Sequence, residues 1–196
     1  MPFKQDYLQA TGVTDQTYAV EDTAIERIRS LYGTARQGAL NQQGAASLWQ
    51  SFFFPLLPEC QHLPQAVEGY DAFAVKQICS LARLLRERNL LRQRTLGDFG
   101  IAQKMFNLFI KHHWALDVFP RNTELCLHLP LDKRVLSKLR NCPGTWKTWT
   151  RAQDSRDTRR DYRTIQNAFR REWNRLQLFG SPIEMEQFIW YSFDCA

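Results

Sequence analysis

Apolar residues recur at intervals of three and four along almost every regular stretch of this chain, and period-two alternation is confined to Cys126 to Leu129. Strand faces need alternation and helix faces need a 3.6-residue repeat, so the pattern predicts an all-α fold. Asp71 to Asn89 is the clearest amphipathic helix, with Phe73, Ile78, Leu81, Leu84 and Leu85 opposite Arg83, Arg86, Glu87 and Arg88. Ile101 to Ala115 reads as a buried helix, and Arg156 to Leu178 as a long amphipathic one whose apolar stripe is Tyr162, Ile165, Phe169, Trp173 and Leu176. Ser181-Pro182-Ile183-Glu184 is a capping box with proline at the first helical position, which predicts a last helix over Ile183 to Tyr191. Shorter helices are expected over Thr23 to Leu31, stopped at Gly33, and over Ala45 to Phe54, broken by Pro55 and Pro58.

A chain of 196 residues suits one domain with one core. The expected architecture is a two-lobed helical bundle, a lobe of about residues 1 to 70 packed on one of about 71 to 196. No apolar run approaches the roughly 18 residues of a membrane span, and the first residues, Met1-Pro2-Phe3-Lys4-Gln5-Asp6, lack the form of a secretory signal. A cytoplasmic monomer is therefore expected. Five widely spaced cysteines with no C-x-x-C pair argue against a zinc site, an iron–sulfur cluster or a disulfide framework. No metal and no cofactor is expected.

Charge is distributed unevenly. Residues 1 to 82 carry 5 Lys and Arg against 8 Asp and Glu, whereas residues 83 to 196 carry 21 against 12. Such an asymmetry suits a polyanionic partner, of which nucleic acid is the commonest.

Two segments carry candidate chemistry, Gly100-Ile101-Ala102-Gln103-Lys104-Met105 and Leu129-Pro130-Leu131-Asp132-Lys133-Arg134-Val135. Each places one reactive side chain, Lys104 or Asp132, at the opening of a helix. The positive end of a helix dipole is a poor place for an ammonium and a good one for a carboxylate. A base leaves a nucleoside through an oxocarbenium-like sugar, so a carboxylate beside C1′ stabilises the charge or activates a nucleophile. A neutral lysine amine attacks the same carbon and leaves a Schiff base. Lys111, seven residues on and on about the same helix face, is the rival nucleophile.

These segments, with Gly97 and Gly100 in the turn Leu96-Gly97-Asp98-Phe99-Gly100, resemble the helix-hairpin-helix DNA glycosylase superfamily over roughly Leu91 to Leu139. In that superfamily a glycine-containing hairpin precedes a helix with an early catalytic lysine, and a catalytic aspartate follows a loop. The resemblance implies that double-stranded DNA is the partner, that Lys104 and Asp132 are catalytic and that Gly97 and Gly100 contact the DNA. The 28-residue interval between lysine and aspartate is closest to the archaeal branch acting on 8-oxoguanine. In size and in the Ala-Gln-Lys and Pro-Leu-Asp segments, the chain also resembles bacterial defence glycosylases that remove glucosylated hydroxymethylcytosine from phage DNA. Asp98 departs from the usual hairpin by placing a negative charge where a phosphate would lie.

Such an enzyme extrudes the base from the stack before acting on it. Candidate backbone contacts are Arg134, Lys138, Arg140, Lys147, Arg151, Arg159, Arg160 and Arg163. Trp146 and Trp149 are candidates for stacking on a flipped base. Gln37, Asn41, Gln42 and Gln43 are candidates for reading its edge. Phe52, Phe53, Phe54 and Trp173 read as core. Two other classes compete: a ribonuclease using Arg121 and His128, with six residues between them, and a nucleic-acid-binding module without catalysis. His112 and His113 point apart on a helix and do not suit a shared metal.

Overall fold

Helix α6 (Asp98–Ala115) organises the molecule, because every one of its residues except Lys104 and Leu108 is buried. A helix apolar nearly all round must be surrounded by other elements. In the computed structural model, which describes residues 2–31, 40–91, 96–120, 122–138 and 149–192, those elements come from both ends of the chain. α1 (Pro2–Thr11) and α5 (Val67–Glu87) pack directly on α6. α2 (Glu21–Ser30) lies against α3 (Gln42–Leu48), and α4 (Phe54–Cys60) follows after a π-helical turn, Trp49–Phe53. Beyond α6 come a 3₁₀ turn (Thr123–Leu125), the single-turn α7 (Lys133–Leu136), α8 (Arg156–Leu176) and α9 (Pro182–Ser192). α9 touches α1, α7 and α8.

All regular structure among the described residues is helical. The buried apolar residues form one continuous core from Tyr7 to Met185. No helix among the described residues is long and apolar enough to cross a membrane.

Three local departures have physical reasons. α1 carries only Phe3, Tyr7 and Leu8 as its apolar stripe, too short a pattern to read alone, and packing against α6 and α9 holds it. Pro55 does not end the helix begun at Gln42. The π turn hands the amide of Phe54 to the carbonyl of Trp49, and Pro55 then falls in the first turn of α4, where an amide has no partner to lose. Phe54 turns outward as a result and is 60% exposed, so it is not core, whereas Phe52 and Phe53 are. Cys126 to Leu129, the one alternating stretch, pairs with no strand among the described residues. The amide of Gln166 in α8 takes its place, accepting from Leu129 N at 2.9 Å and donating to Leu129 O at 2.8 Å.

Candidate active site

The segment leading into Asp132 carries few local constraints, so its position depends on what clamps it. Gln103 of α6 pairs with Leu131 much as Gln166 pairs with Leu129, donating to Leu131 O at 2.9 Å and accepting from Leu131 N at 3.1 Å. Asn107, one turn on, donates to Leu129 O at 3.2 Å and to the Tyr162 hydroxyl at 2.8 Å. Two buried glutamine amides thus replace the neighbouring strand at alternate residues, 129 and 131. Each buried bond contributes about 1 kcal/mol, and more is lost if one partner is removed.

The clamp delivers Asp132 to the one face of α6 that reaches solvent. Asp132 Oδ1 accepts from Val135 N at 3.1 Å and so caps α7. Its other oxygen lies 3.5 Å from Lys104 Nζ, with the two side chains 14% and 22% exposed. The two residues singled out for chemistry therefore meet, 28 positions apart in sequence, at a part-exposed site, with Lys104 in the second turn of α6 and not at its opening, because the helix begins at Asp98.

Lys111, the rival nucleophile, is placed differently. Its ammonium is buried, paired with the buried Glu186 carboxylate of α9, and 4.6 Å from the centre of the Tyr7 ring. Burial pushes the Lys111 ammonium down from its ordinary range, and Glu186 opposes that shift. For Glu186 burial pushes the carboxyl up, against the pull of Lys111. This pair is closed to solvent, so the structure removes Lys111 as an attacking group.

The glycine turn corrects a second expectation. Gly97 N donates to Thr150 O at 2.9 Å and Gly100 N to Ala152 O at 3.0 Å. A Cβ at Gly100 would lie 1.6 Å from Trp149 O, and one at Gly97 2.2 Å from Ala152 O. Close approach of the 149–152 backbone is thus what requires glycine here, and neither amide is left for a DNA phosphate. Asp98 is buried as well, accepting from Phe99 N and Asp154 N at 2.7 and 2.9 Å and pairing with Arg86 at 2.6 Å. The turn is a latch between α6 and the start of α8.

The remaining candidates separate by surroundings. Trp149 is 5% exposed and packs near Tyr162, so it belongs to the core and cannot stack on a flipped base. Arg134 lies over the Trp190 ring at 4.4 Å, two residues from Asp132. Arg159 is held by Asp154 through two bonds of 2.7 Å, which depress the Asp154 carboxyl. Arg160 has the exposed Asp157 and the part-exposed Asp161 at 3.0 and 3.5 Å. Lys138, Arg151 and Arg163 are exposed. Gln37, Arg121, Arg140, Trp146 and Lys147 lie outside the described residues.

His128 is fully buried, with Nε2 2.8 Å from Asp71 Oδ1 and Nδ1 3.0 Å from the Tyr162 hydroxyl. Both ring nitrogens are occupied, which removes it as a ribonuclease residue. Burial lowers its pKa, and for Asp71, where burial alone would raise the carboxyl, bonds from His128 and Arg170 bring it below the usual range. His112 and His113 are likewise buried, on Tyr18 and on the Phe109 carbonyl.

Sequence reasoning missed Gln103, Asn107, Gln166 and Glu186. Their signal was present: amides and a carboxylate at buried positions of otherwise apolar helix faces. Compared with protein-family models, curated proteins and solved structures, the chain matches none.

Proposed function

We propose that this protein is a DNA glycosylase that excises a modified base from duplex DNA and leaves an abasic site. The observation that carries the proposal is the contact of Lys104 Nζ with Asp132 Oδ2 at 3.5 Å on an accessible face of an otherwise buried helix. A lysine and a carboxylate at this separation supply both a nucleophile and charge stabilisation for a reacting C1′. The C1′–N bond breaks with its electron pair going to the base, which takes up a proton, while the Lys104 amine bonds to C1′. The proton released by the amine passes by way of the Asp132 carboxylate to the departing base, and the C1′–O4′ bond then breaks as the nitrogen lone pair forms the C1′=N bond, O4′ taking up the second amine proton. The ring-opened product is a Schiff base, which water hydrolyses. If Lys104 makes no covalent bond, Asp132 activates water at the same carbon.

Arg134, Lys138, Arg160 and Arg163 supply positive charge for the duplex backbone, and the basic residues 83 to 196 contain both members of the pair. The hairpin glycines have no part in this interface. The substrate we favour is glucosylated hydroxymethylcytosine in phage DNA, on the resemblance given above, with defence against phage as the role of a monomer in the cytoplasm. The test is to incubate the protein with glucosylated phage DNA, unmodified DNA and an 8-oxoguanine duplex and to count abasic sites. Abasic sites in the glucosylated DNA alone support the full reading. Sites in the 8-oxoguanine duplex alone replace phage defence with repair. Salt-sensitive binding without abasic sites in any substrate sinks the enzyme.

A further inference from the structure

A cavity of about 340 Å³ opens where α1, α2, α6 and α9 come together. That volume falls within the ~300–1,000 Å³ of small-molecule sites. Its apolar walls are Leu31, Leu108 and the rings of Tyr7 and Trp190. The polar part of the wall offers donors. Arg27 spends one guanidinium nitrogen on Thr11 O at 2.9 Å, and its other N–H groups have no acceptor among the described residues. Tyr7 is 6% exposed, and its hydroxyl has no hydrogen-bond partner among the described residues and is not one of the polar atoms sealed from solvent. Burial, with Glu186 beside it, raises the Tyr7 phenol well above its ordinary range, so the hydroxyl keeps its proton. His112 contributes the third donor. The Tyr18 hydroxyl, itself kept protonated by burial, donates to His112 Nδ1, which assigns the ring proton to Nε2.

These donors narrow the ligand. The carboxylate and amide acceptors on the wall are spent or sealed, since Glu186 Oε2 holds Lys111 while Glu186 Oε1 and Gln187 Oε1 have almost no accessible surface. Lys111 and Glu186 cancel, and Arg27 has no carboxylate partner among the described residues. Burial first, and Arg27 next, lower the His112 pKa and keep that ring neutral. The wall is therefore net positive by one charge, which balances a monoanion. A guanidinium fork matches a carboxylate in shape as well as charge. A phosphate dianion would leave a negative charge unbalanced beside a buried ion pair. The aromatic and leucine walls suit a planar apolar body behind the carboxylate.

We infer that this cavity binds a small aromatic carboxylate, with its oxygens on Arg27, the Tyr7 hydroxyl and His112 Nε2 and its ring against Trp190 and Leu108. Lys104 and Asp132 do not line the cavity, so the site stands whether or not that pair acts on DNA. Benzoate, its neutral counterpart benzamide, and inorganic phosphate are titrated separately into the isotopically labelled full chain while the Trp190 indole N–H, assigned through Trp190→Phe, is followed. Benzoate is expected to shift that signal saturably, benzamide to bind at least about tenfold more weakly and phosphate to leave the signal in place. Tyr7→Phe keeps the ring and should weaken benzoate about tenfold or more, the loss of one hydrogen bond to a charged group. Arg27→Met should remove binding, and Arg27→Lys should restore part of it. Ala10→Trp, at an exposed lining position, blocks the mouth without touching the core and should abolish the shift, which keeps the test independent of how well the Arg27 variants fold. Absence of a benzoate shift, equal binding of benzamide, tighter binding of phosphate, or full benzoate binding in Tyr7→Phe or Ala10→Trp each overturns the site.

Discussion

Two lysine–carboxylate pairs stand seven residues apart on one face of α6, and they differ in almost everything but composition. Lys104 and Asp132 are 3.5 Å apart and part-exposed, Lys104 in the second turn of α6 and Asp132 at the cap of α7. Lys111 and Glu186 are sealed between α6 and α9 under the Tyr7 ring. Removing two charges from water is costly, and only their mutual attraction and good geometry offset it. The inner pair is therefore fixed structure. The outer pair stays part-exposed, at 22% for Lys104 and 14% for Asp132. Burial, and not residue type, separates the roles.

The largest expected effect comes from breaking the inner pair. Glu186→Ala leaves a buried ammonium uncompensated and should cost about 3–5 kcal/mol in urea unfolding, whereas Lys111→Met combined with Glu186→Leu should recover most of it. Equal destabilisation by Asp132→Ala would erase the distinction between the two pairs.

For the outer pair the effect should fall on activity. Asp132→Asn keeps the cap on α7 but removes the charge, so base excision should drop by about 10²–10³-fold with stability within about 1 kcal/mol. Borohydride trapping of DNA sharpens the same contrast, because Lys104→Ala should abolish the covalent complex and Lys111→Met, in any folded fraction, should retain it.

A smaller effect follows from pH. Burial lowers the pKa of His112 and His128 and brings His113 to about 4. The unfolded chain binds these protons near pH 6.5 while the native chain does not. Their contribution is thus complete above about pH 6.5 and is lost as pH falls toward 4. The urea midpoint should decline through that window, and a flat profile would contradict the burial of these rings. Least of all, Arg163→Ala should change stability by under about 0.5 kcal/mol, while lowering the salt dependence of DNA binding by about one phosphate contact.

Much of the fold was legible because long helices announce themselves locally. The reading of Arg156 to Leu178 came within two residues of the observed end, Leu176, and Ser155 caps its start through Thr158 N. The proline reading failed because a π turn shifts the hydrogen-bond register ahead of Pro55, which no periodicity reports. The glycines were noticed for a hairpin, yet their cause is backbone contact with residues 149 to 152, about fifty positions away. Trp149 was read as a stacking ring because a loop position suggests exposure, and packing against Tyr162 decided otherwise.

By itself the sequence determined the helical class and the main helix positions, since helix periodicity is a local property. Only the tertiary structure decided that Asp132 meets Lys104 and not Lys111, that two glutamine amides stand in for a strand, and that the hairpin amides are occupied. Burial and pairing across tens of residues depend on how the helices pack, and no single helix carries that information.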